Sequence, residues 1–95
     1  MSGILKRMKA VILYKPNSEH DSPVQAYVRE FAHRTGKALE LIDAESREGI
    51  SMAGLYDVVR FPALVAVRDS GELIQTWLEF EKWPTMNELT YYTKD

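Results

Sequence analysis

Residues 53–72 read AGLYDVVRFPALVAVRDSGE, and most of the architecture follows from this segment. Pro62 stands just before the apolar run Leu64–Val67, which is short, unbroken and typical of a buried strand. A polar turn follows the run, and Gly71 within it supplies the positive φ that tight hairpin turns require. The segment therefore predicts a hairpin whose second strand covers residues 73–78.

The chain before this segment has the pattern of a strand followed by a helix. Ala10–Leu13 is a continuous apolar run that favours a central strand buried on both faces. Ser22, Pro23 and Gln25 predict the start of a helix, with Ser22 as N-cap, proline at the first helical position and a capping box. Gly36 is the expected C-terminal cap of this helix. Its predicted apolar face consists of Val24, Tyr27, Val28, Phe31 and Ala32.

The remaining segments continue the alternation of strands and helices. Residues 38–43 predict a second strand, and residues 45–57 predict a second helix. The predicted inner face of that helix consists of Ile50, Ala53 and Tyr56. Thr85 and Glu88 form a capping box that opens a last short helix.

The predicted order β-α-β-α-β-β-α describes a single α/β domain. A strand, a helix and a second strand in succession are expected to form a parallel pair with a right-handed crossover, whereas the hairpin strands are antiparallel. We therefore predict a four-stranded mixed sheet with helices on both faces. Residues 9–95 would form this domain, and residues 1–8, which include the basic Lys6 and Arg7, would form a solvated flank.

Composition narrows the classes of function. The chain has 95 residues, 45% of them hydrophobic, and a net charge of −2, so neither a nucleic-acid surface nor attraction to an anionic membrane is expected. No apolar run approaches the ~20 residues of a membrane span, and no secretory leader pattern is present, which predicts a cytoplasmic protein. The absence of cysteine excludes disulfides, thiolate metal sites and cysteine nucleophiles. No phosphate loop or metal-ligand spacing occurs, so we expect no cofactor and no metal.

The order of elements and the segment quoted above resemble the thioredoxin-like superfamily. The resemblance lies in the spacing of Ala53, Tyr56, Val58 and Pro62, in which a proline opens an apolar strand that ends in a glycine-containing hairpin. It implies a thioredoxin-like fold for nearly the whole chain. It also implies that the bond before Pro62 is cis, and that the proline loop faces the start of the first helix, where an extended substrate segment pairs with the backbone.

The chain departs from this family at the redox motif. The family's Cys-x-x-Cys maps to Asn17–His20, or to Ser18–Asp21 if the register differs by one, and neither window can form a thiolate. Val11 stands where many thioredoxins bury an acid, and Pro16 stands where an aromatic residue precedes the motif. Because thiol–disulfide exchange needs one thiolate to attack and a second to resolve, the resemblance implies a redox-inactive member.

The first functional hypothesis is a non-catalytic module that binds a protein or an extended peptide segment. Its groove would lie between the family's motif position and the proline loop. The predicted groove residues are Asn17, Ser18, Glu19, His20, Arg60, Phe61 and Pro62. No catalytic motif is present, so the sequence gives an enzyme no positive support.

Two other functions use different features of the chain. One is a structural or dimerising subunit of a larger complex, including a homodimer. The other is a non-redox enzyme or small-anion binder at the start of the first helix, with Glu19 or His20 as general acid or base, although His20 also suits a solvated loop. A separate docking patch is predicted at Trp77, Phe80 and Trp83, for which the alternative is packing against the last helix.

Overall fold

The structure is a computed structural model that describes residues 7–93. Its strands are β1 (Met8–Tyr14), β2 (Glu40–Asp43), β3 (Ala63–Arg68) and β4 (Leu73–Trp77), and its helices are α1 (Asp21–Thr35), α2 (Arg47–Tyr56) and α3 (Met86–Tyr91). The predicted order of strands and helices is confirmed. A 3₁₀ turn at Phe80–Lys82, which the sequence analysis did not predict, lies between β4 and α3.

The predicted amino-terminal flank falls mostly outside the described residues, which begin at Arg7. β1 starts at Met8 and therefore takes in the end of that flank. The basic Lys6 lies outside the described residues, whereas Lys9 forms an ion pair with Glu40 of the neighbouring strand at 3.8 Å.

The sheet has the strand order β2-β1-β3-β4. β1 pairs in parallel with β2, and β3 pairs antiparallel with β4, as predicted. β1 also pairs antiparallel with β3, a pairing that the sequence did not predict. The interior position of β1 explains its unbroken apolar sequence, because Val11, Ile12 and Leu13 have no exposed surface. Since Leu13 at the end of β1 lies opposite Ala63 at the start of β3, the loop after β1 and the loop before β3 lie at the same end of the two strands.

Each face of the sheet carries its own core. Successive side chains of a strand point to opposite faces, so neighbouring residues of β1 belong to different cores. Ile12 packs in one cluster with Phe31 of α1 and Leu89 of α3. Val11 packs in the other cluster with Val65, against which α2 lies. The prediction of helices on both faces is therefore confirmed.

The start of α1 differs from the prediction. The helix begins at Asp21 with His20 as its N-cap, so Ser22 does not cap it. The reason is that the carbonyl of His20 accepts the first helical N–H bond, at 3.1 Å, ahead of Ser22. Pro23 remains in the first turn, where its missing N–H leaves no helical bond unmade. The predicted capping box is wrong, because the Gln25 side chain donates instead to Asp21 Oδ1 at 3.4 Å.

The inner face of α2 also differs from the prediction. Ala53 and Tyr56 pack against the core, but Ile50 is 62% exposed. The helix is rotated so that Gly49 is its buried residue, and a Cβ at this position would collide with the backbone of Asp43. The close approach of α2 to β2 therefore turns Gly49 inward and Ile50 towards solvent.

The remaining predicted ends are confirmed. Gly36 ends α1 with φ 76° and donates its N–H to Ala32 O at 2.8 Å. Gly71 has φ 93° in the turn between β3 and β4. The capping box of α3 is formed by Glu88 N–H on Thr85 Oγ1 at 3.2 Å and Thr85 N–H on Glu88 Oε1 at 2.9 Å.

Candidate functional site

A cleft of about 380 Å³ lies where the loop after β1 meets the loop before β3. It brings together Glu19, His20, Arg60, Phe61 and Pro62 from the predicted groove. The Phe61–Pro62 peptide bond is cis, as the resemblance implied. Segments 40 residues apart in the chain meet here because β1 and β3 are neighbours in the sheet.

The cleft has residues that the sequence analysis did not assign to it. They come from the start of α1 and from the segment after β4, namely Pro23, Leu78, Glu79, Phe80 and Glu81. Phe80 was predicted within the aromatic docking patch and Pro23 only as part of a helix start, whereas Leu78, Glu79 and Glu81 were not predicted for any site. The pattern of β4 indicated where the strand ends, yet it carried no signal that the following 3₁₀ turn folds over the cleft.

Asn17 and Ser18, which were also predicted for the groove, do not line the cleft. Asn17 has φ 63°, and its N–H donates to Asp21 Oδ2 at 3.3 Å. Ser18 Oγ donates to the carbonyl oxygen of Lys15 at 2.6 Å. Both residues therefore shape the loop that supports one wall of the cleft.

His20 has a structural partner within the same loop. Its Nε2 accepts the backbone N–H of Lys15 at 3.1 Å. In this contact the lone pair of Nε2 is occupied by the Lys15 N–H. The nitrogen that would serve as a general base is thus used to close the loop. The Glu19 carboxylate forms no hydrogen bond or ion pair within residues 7–93.

The Lys15 side chain connects the two walls of the cleft. Its Nζ lies over the ring of Phe61, 5.6 Å from the ring centroid. This distance is within the range of a cation–π interaction. Phe61 is half-buried and packs against the core beneath α2, so the proline loop is held from both sides.

The backbone next to Pro62 has unused hydrogen-bonding groups. The ladder between β1 and β3 begins with the pair Leu13 and Ala63. Within residues 7–93, the backbone groups of Arg60 and Phe61 make no hydrogen bond. Backbone N–H and C=O groups nearly always find a partner in proteins, so these groups are open to water or to an added strand.

The start of α1 is poorly suited to bind a small anion, because it carries a carboxylate and offers few free N–H groups. Asp21 places a carboxylate in the first turn, and its own N–H donates to Ser18 O at 3.1 Å. Pro23 has no N–H to offer. Residues 7–93 contain no group of three or more histidine, aspartate or glutamate side chains that could hold a metal ion.

The residues of the predicted docking patch do not share one exposed surface. Trp83 is buried, and its Nε1 has no partner within the described residues. Phe80 lies 4.8 Å from Trp83 between ring centroids and also lines the cleft. Trp77 packs edge-on against Tyr92 of the carboxyl-terminal segment, at 5.0 Å. This geometry favours packing against the helices on this face.

Tyr27 connects α1 to the segment before α3. Its hydroxyl donates to the carbonyl oxygen of Pro84 at 2.9 Å, and its ring packs edge-on against Trp83 at 5.0 Å. Burial, followed by the carboxylates of Glu30 and Glu88, raises the pKa of Tyr27 well above its ordinary value. This contact helps to position the cleft, because Trp83 packs against Phe80, which lines it.

The strand order, the two helical layers and the cis-proline cleft define a thioredoxin-like fold. Solved thioredoxins have the same architecture. Thioredoxin-2 of the malaria parasite aligns with 96% of this chain and 84% of its own at a TM-score of 0.66 and 13% identity. Fasciola hepatica thioredoxin aligns over 92% and 82% at a TM-score of 0.66 and 16% identity. The Drosophila melanogaster thioredoxin Deadhead aligns with 92% of this chain and 78% of its own, at a TM-score of 0.63 and 18% identity.

These comparisons establish the fold but not the function of the chain. Neither the scan against family models nor the search of curated proteins finds a match. Among the helices within residues 7–93, none has the length and apolar character to cross a membrane.

Proposed function

We propose that this chain is a redox-inactive thioredoxin-like module that holds an extended segment of another protein without covalent chemistry. The observation that supports the proposal most directly is the unpaired backbone of Arg60 and Phe61 beside the cleft. An extended segment that aligns there would satisfy these groups by strand addition. Its side chains would alternate between the cleft and solvent.

The chemistry of the cleft supports binding rather than exchange. This chain has no cysteine, and the residues at the family's motif position include Ser18 and His20, whose polar atoms form hydrogen bonds within the loop. The floor offers apolar surface from Phe61, Leu78 and Phe80. Burial of apolar surface and main-chain hydrogen bonds would provide the affinity, and no nucleophile is needed.

Location and partner class form part of the same proposal. We infer a cytoplasmic location, since the lack of cysteine is compatible with a reducing compartment. The net charge of −2 favours a protein partner over nucleic acid or an anionic membrane. Fractionation of cells that express the tagged chain would check the location, and recovery in the membrane fraction would contradict it.

A peptide library selected on the immobilised chain tests the function. Selected peptides should shift the amide signals of residues 18–22, 60, 61 and 63, and Phe61→Ala should weaken their binding about tenfold because it removes apolar floor and the Lys15 contact. Leu55→Ala is the matched control, since Leu55 is 72% exposed and lies outside the cleft. Peptides that bind Phe61→Ala and the parent chain equally would place the binding surface elsewhere.

The outer face of α2 favours a dimerising subunit as the second candidate. Ile50 and Leu55 of α2 are 62% and 72% exposed, and Val59, in the loop after α2, is 77% exposed. Exposed apolar side chains in one region often mark contact surfaces. Sedimentation equilibrium over a range of concentrations separates the two candidates. A dimer that dissociates in the Ile50→Ser, Leu55→Ser double variant would favour the subunit, and a monomer at all concentrations would exclude the homodimer.

A further inference from the structure

We propose that the groove selects extended segments in which an apolar side chain is flanked by lysine or arginine. This inference rests on the proposed function and adds the charge of the ligand to it. It follows from two features of the cleft, an apolar floor and an acidic rim, which would contact successive side chains of one bound segment.

The floor of the cleft is apolar and partly shielded from water. Pro62 is buried, while Phe61, Leu78 and Phe80 are half-buried. These residues come from the loop before β3 and from the segment after β4, which lie at the same end of two neighbouring strands. An apolar side chain of the ligand would remove this surface from water.

The rim of the cleft carries an excess of carboxylates. Glu19, Glu79 and Glu81 line it, whereas Arg60 is the one lining cation among the described residues. Glu79 is paired with Lys82 at 3.6 Å. Glu19 and Glu81 form no hydrogen bond or ion pair within residues 7–93, and both are exposed, one in the loop after β1 and the other in the segment after β4.

Arg60 is compatible with a basic ligand. Its guanidinium has only donors, so it suits the carbonyl oxygens of a bound backbone as well as a carboxylate. The other nearby cation, Lys15, is held over the ring of Phe61. Because Glu79 is paired with Lys82, the lining has two unpaired carboxylates against the one guanidinium of Arg60, so ligand side chains that reach the rim meet a net negative charge.

The expected selectivity is moderate and depends on salt. Glu19 and Glu81 are exposed, and an exposed ion pair changes affinity by about two- to fivefold. Two such pairs should give a preference of about fivefold to twentyfold for a basic over a neutral ligand. The preference should fall as the ionic strength rises from about 0.05 M to about 0.5 M, since salt screens exposed charges.

Three short peptides test the inference. They share a Val-Thr-Leu-Thr-Val core and differ only in flanking residues, which are all lysine, all glutamine or all glutamate. Affinity for the full chain is measured by fluorescence anisotropy, and amide signals at residues 18–22, 60, 61 and 63 locate the binding. The Glu19→Gln, Glu81→Gln double variant removes the rim charges. The control is Glu45→Gln, Asp69→Asn, which changes the net charge equally but lies outside the cleft.

The lysine peptide should bind most tightly and the glutamate peptide most weakly, and only the Glu19, Glu81 double variant should abolish the difference. Equal affinity of all three peptides for the groove would overturn the charge selectivity and leave the binding function intact. Tighter binding of the glutamate peptide would overturn it as well. If no peptide, whatever its flanks, shifts the groove signals, the binding function fails together with this inference.

Discussion

Single side chains decide how closely the elements of this domain approach one another. Gly49 has no side chain at the point where α2 meets the backbone of Asp43, and this contact sets the rotation of the helix. His20 closes the loop that forms one wall of the cleft. Neither role is visible in local sequence patterns, because each depends on a partner that the fold brings close.

Substitution of Gly49 should destabilise the domain far more than substitution of Gly54, the other glycine of α2. Gly49→Ala places a Cβ against backbone atoms of Asp43, which cannot move without separating α2 from β2, and should cost about 3 kcal/mol. Gly54→Ala is the matched control, since a Cβ added there would meet no atom of another segment within 4 Å, and should raise stability by up to about 1 kcal/mol. Urea unfolding measures both, and equal effects would contradict the assigned close approach.

Loss of the His20 imidazole should loosen the loop after β1. His20→Ala removes the acceptor of the Lys15 N–H and should lower the free energy of unfolding by about 1 kcal/mol. It should also speed hydrogen exchange at the Lys15 amide. His33→Ala on the exposed side of α1 is the control, because His33 makes no hydrogen bond within residues 7–93, and it should change little. An unchanged Lys15 exchange rate would refute the loop contact.

At the scale of elements, aromatic contacts hold α1 to the segment that leads into α3. Tyr27 contacts Phe80 and Trp83 edge-on, and its hydroxyl bonds to Pro84 O. α3 has only 6 residues and depends on such contacts, since a helix this short is not stable alone. The aromatic residues of the carboxyl-terminal third therefore mainly pack in the core, and Phe80 is the one that also lines the cleft.

The raised pKa of Tyr27 predicts a loss of stability at alkaline pH. Burial raises the pKa above its ordinary value of 10.0, so the unfolded chain releases the proton before the folded chain does. The stability that Tyr27 contributes is intact below pH 10.0 and is lost as the pH rises further. Between pH about 8 and pH about 11, unfolding free energies should fall less steeply for Tyr27→Phe than for the parent chain. Parallel curves would show that Tyr27 titrates normally.

At the scale of the whole molecule, the sheet is protected at its centre and open at its sides. β1 and β3 are interior strands with buried residues on both faces, whereas β2 and β4 are edges. The cleft lies at one end of the interior pair, so its proline loop is anchored to the most buried part of the domain. The wall formed by the segment after β4 follows an edge strand and packs on the two cores through the half-buried Leu78 and Phe80.

Hydrogen exchange should reflect this arrangement. Amides of β1 and β3 that are bonded within the sheet should exchange at least ~10-fold more slowly than those of β4 and α3, since local opening is easiest where buried contacts are fewest. The measurement is native-state exchange followed by NMR. Equal protection of β4 and β1 would contradict the assignment of the edge strand.

Local patterns of the sequence were sufficient for the order of elements, the hairpin at Gly71, the cap at Gly36 and the capping box at Thr85. Each depends on residues close together in the chain, so the periodicity or the turn chemistry carries the information. The resemblance added the cis bond before Pro62, and the lack of cysteine needed no structure at all.

The packing of distant segments settled the remaining features. Ile50 points outward because α2 is rotated by its contact with β2, and a helical pattern of about 3.6 residues per turn does not report that rotation when glycine takes the inner position. Leu78 to Glu81 reach the cleft because the chain turns after the edge strand, which depends on the aromatic core beneath. Contacts between residues far apart in the chain produce no periodic pattern in the sequence, so the full lining of the cleft could be seen only in the folded molecule.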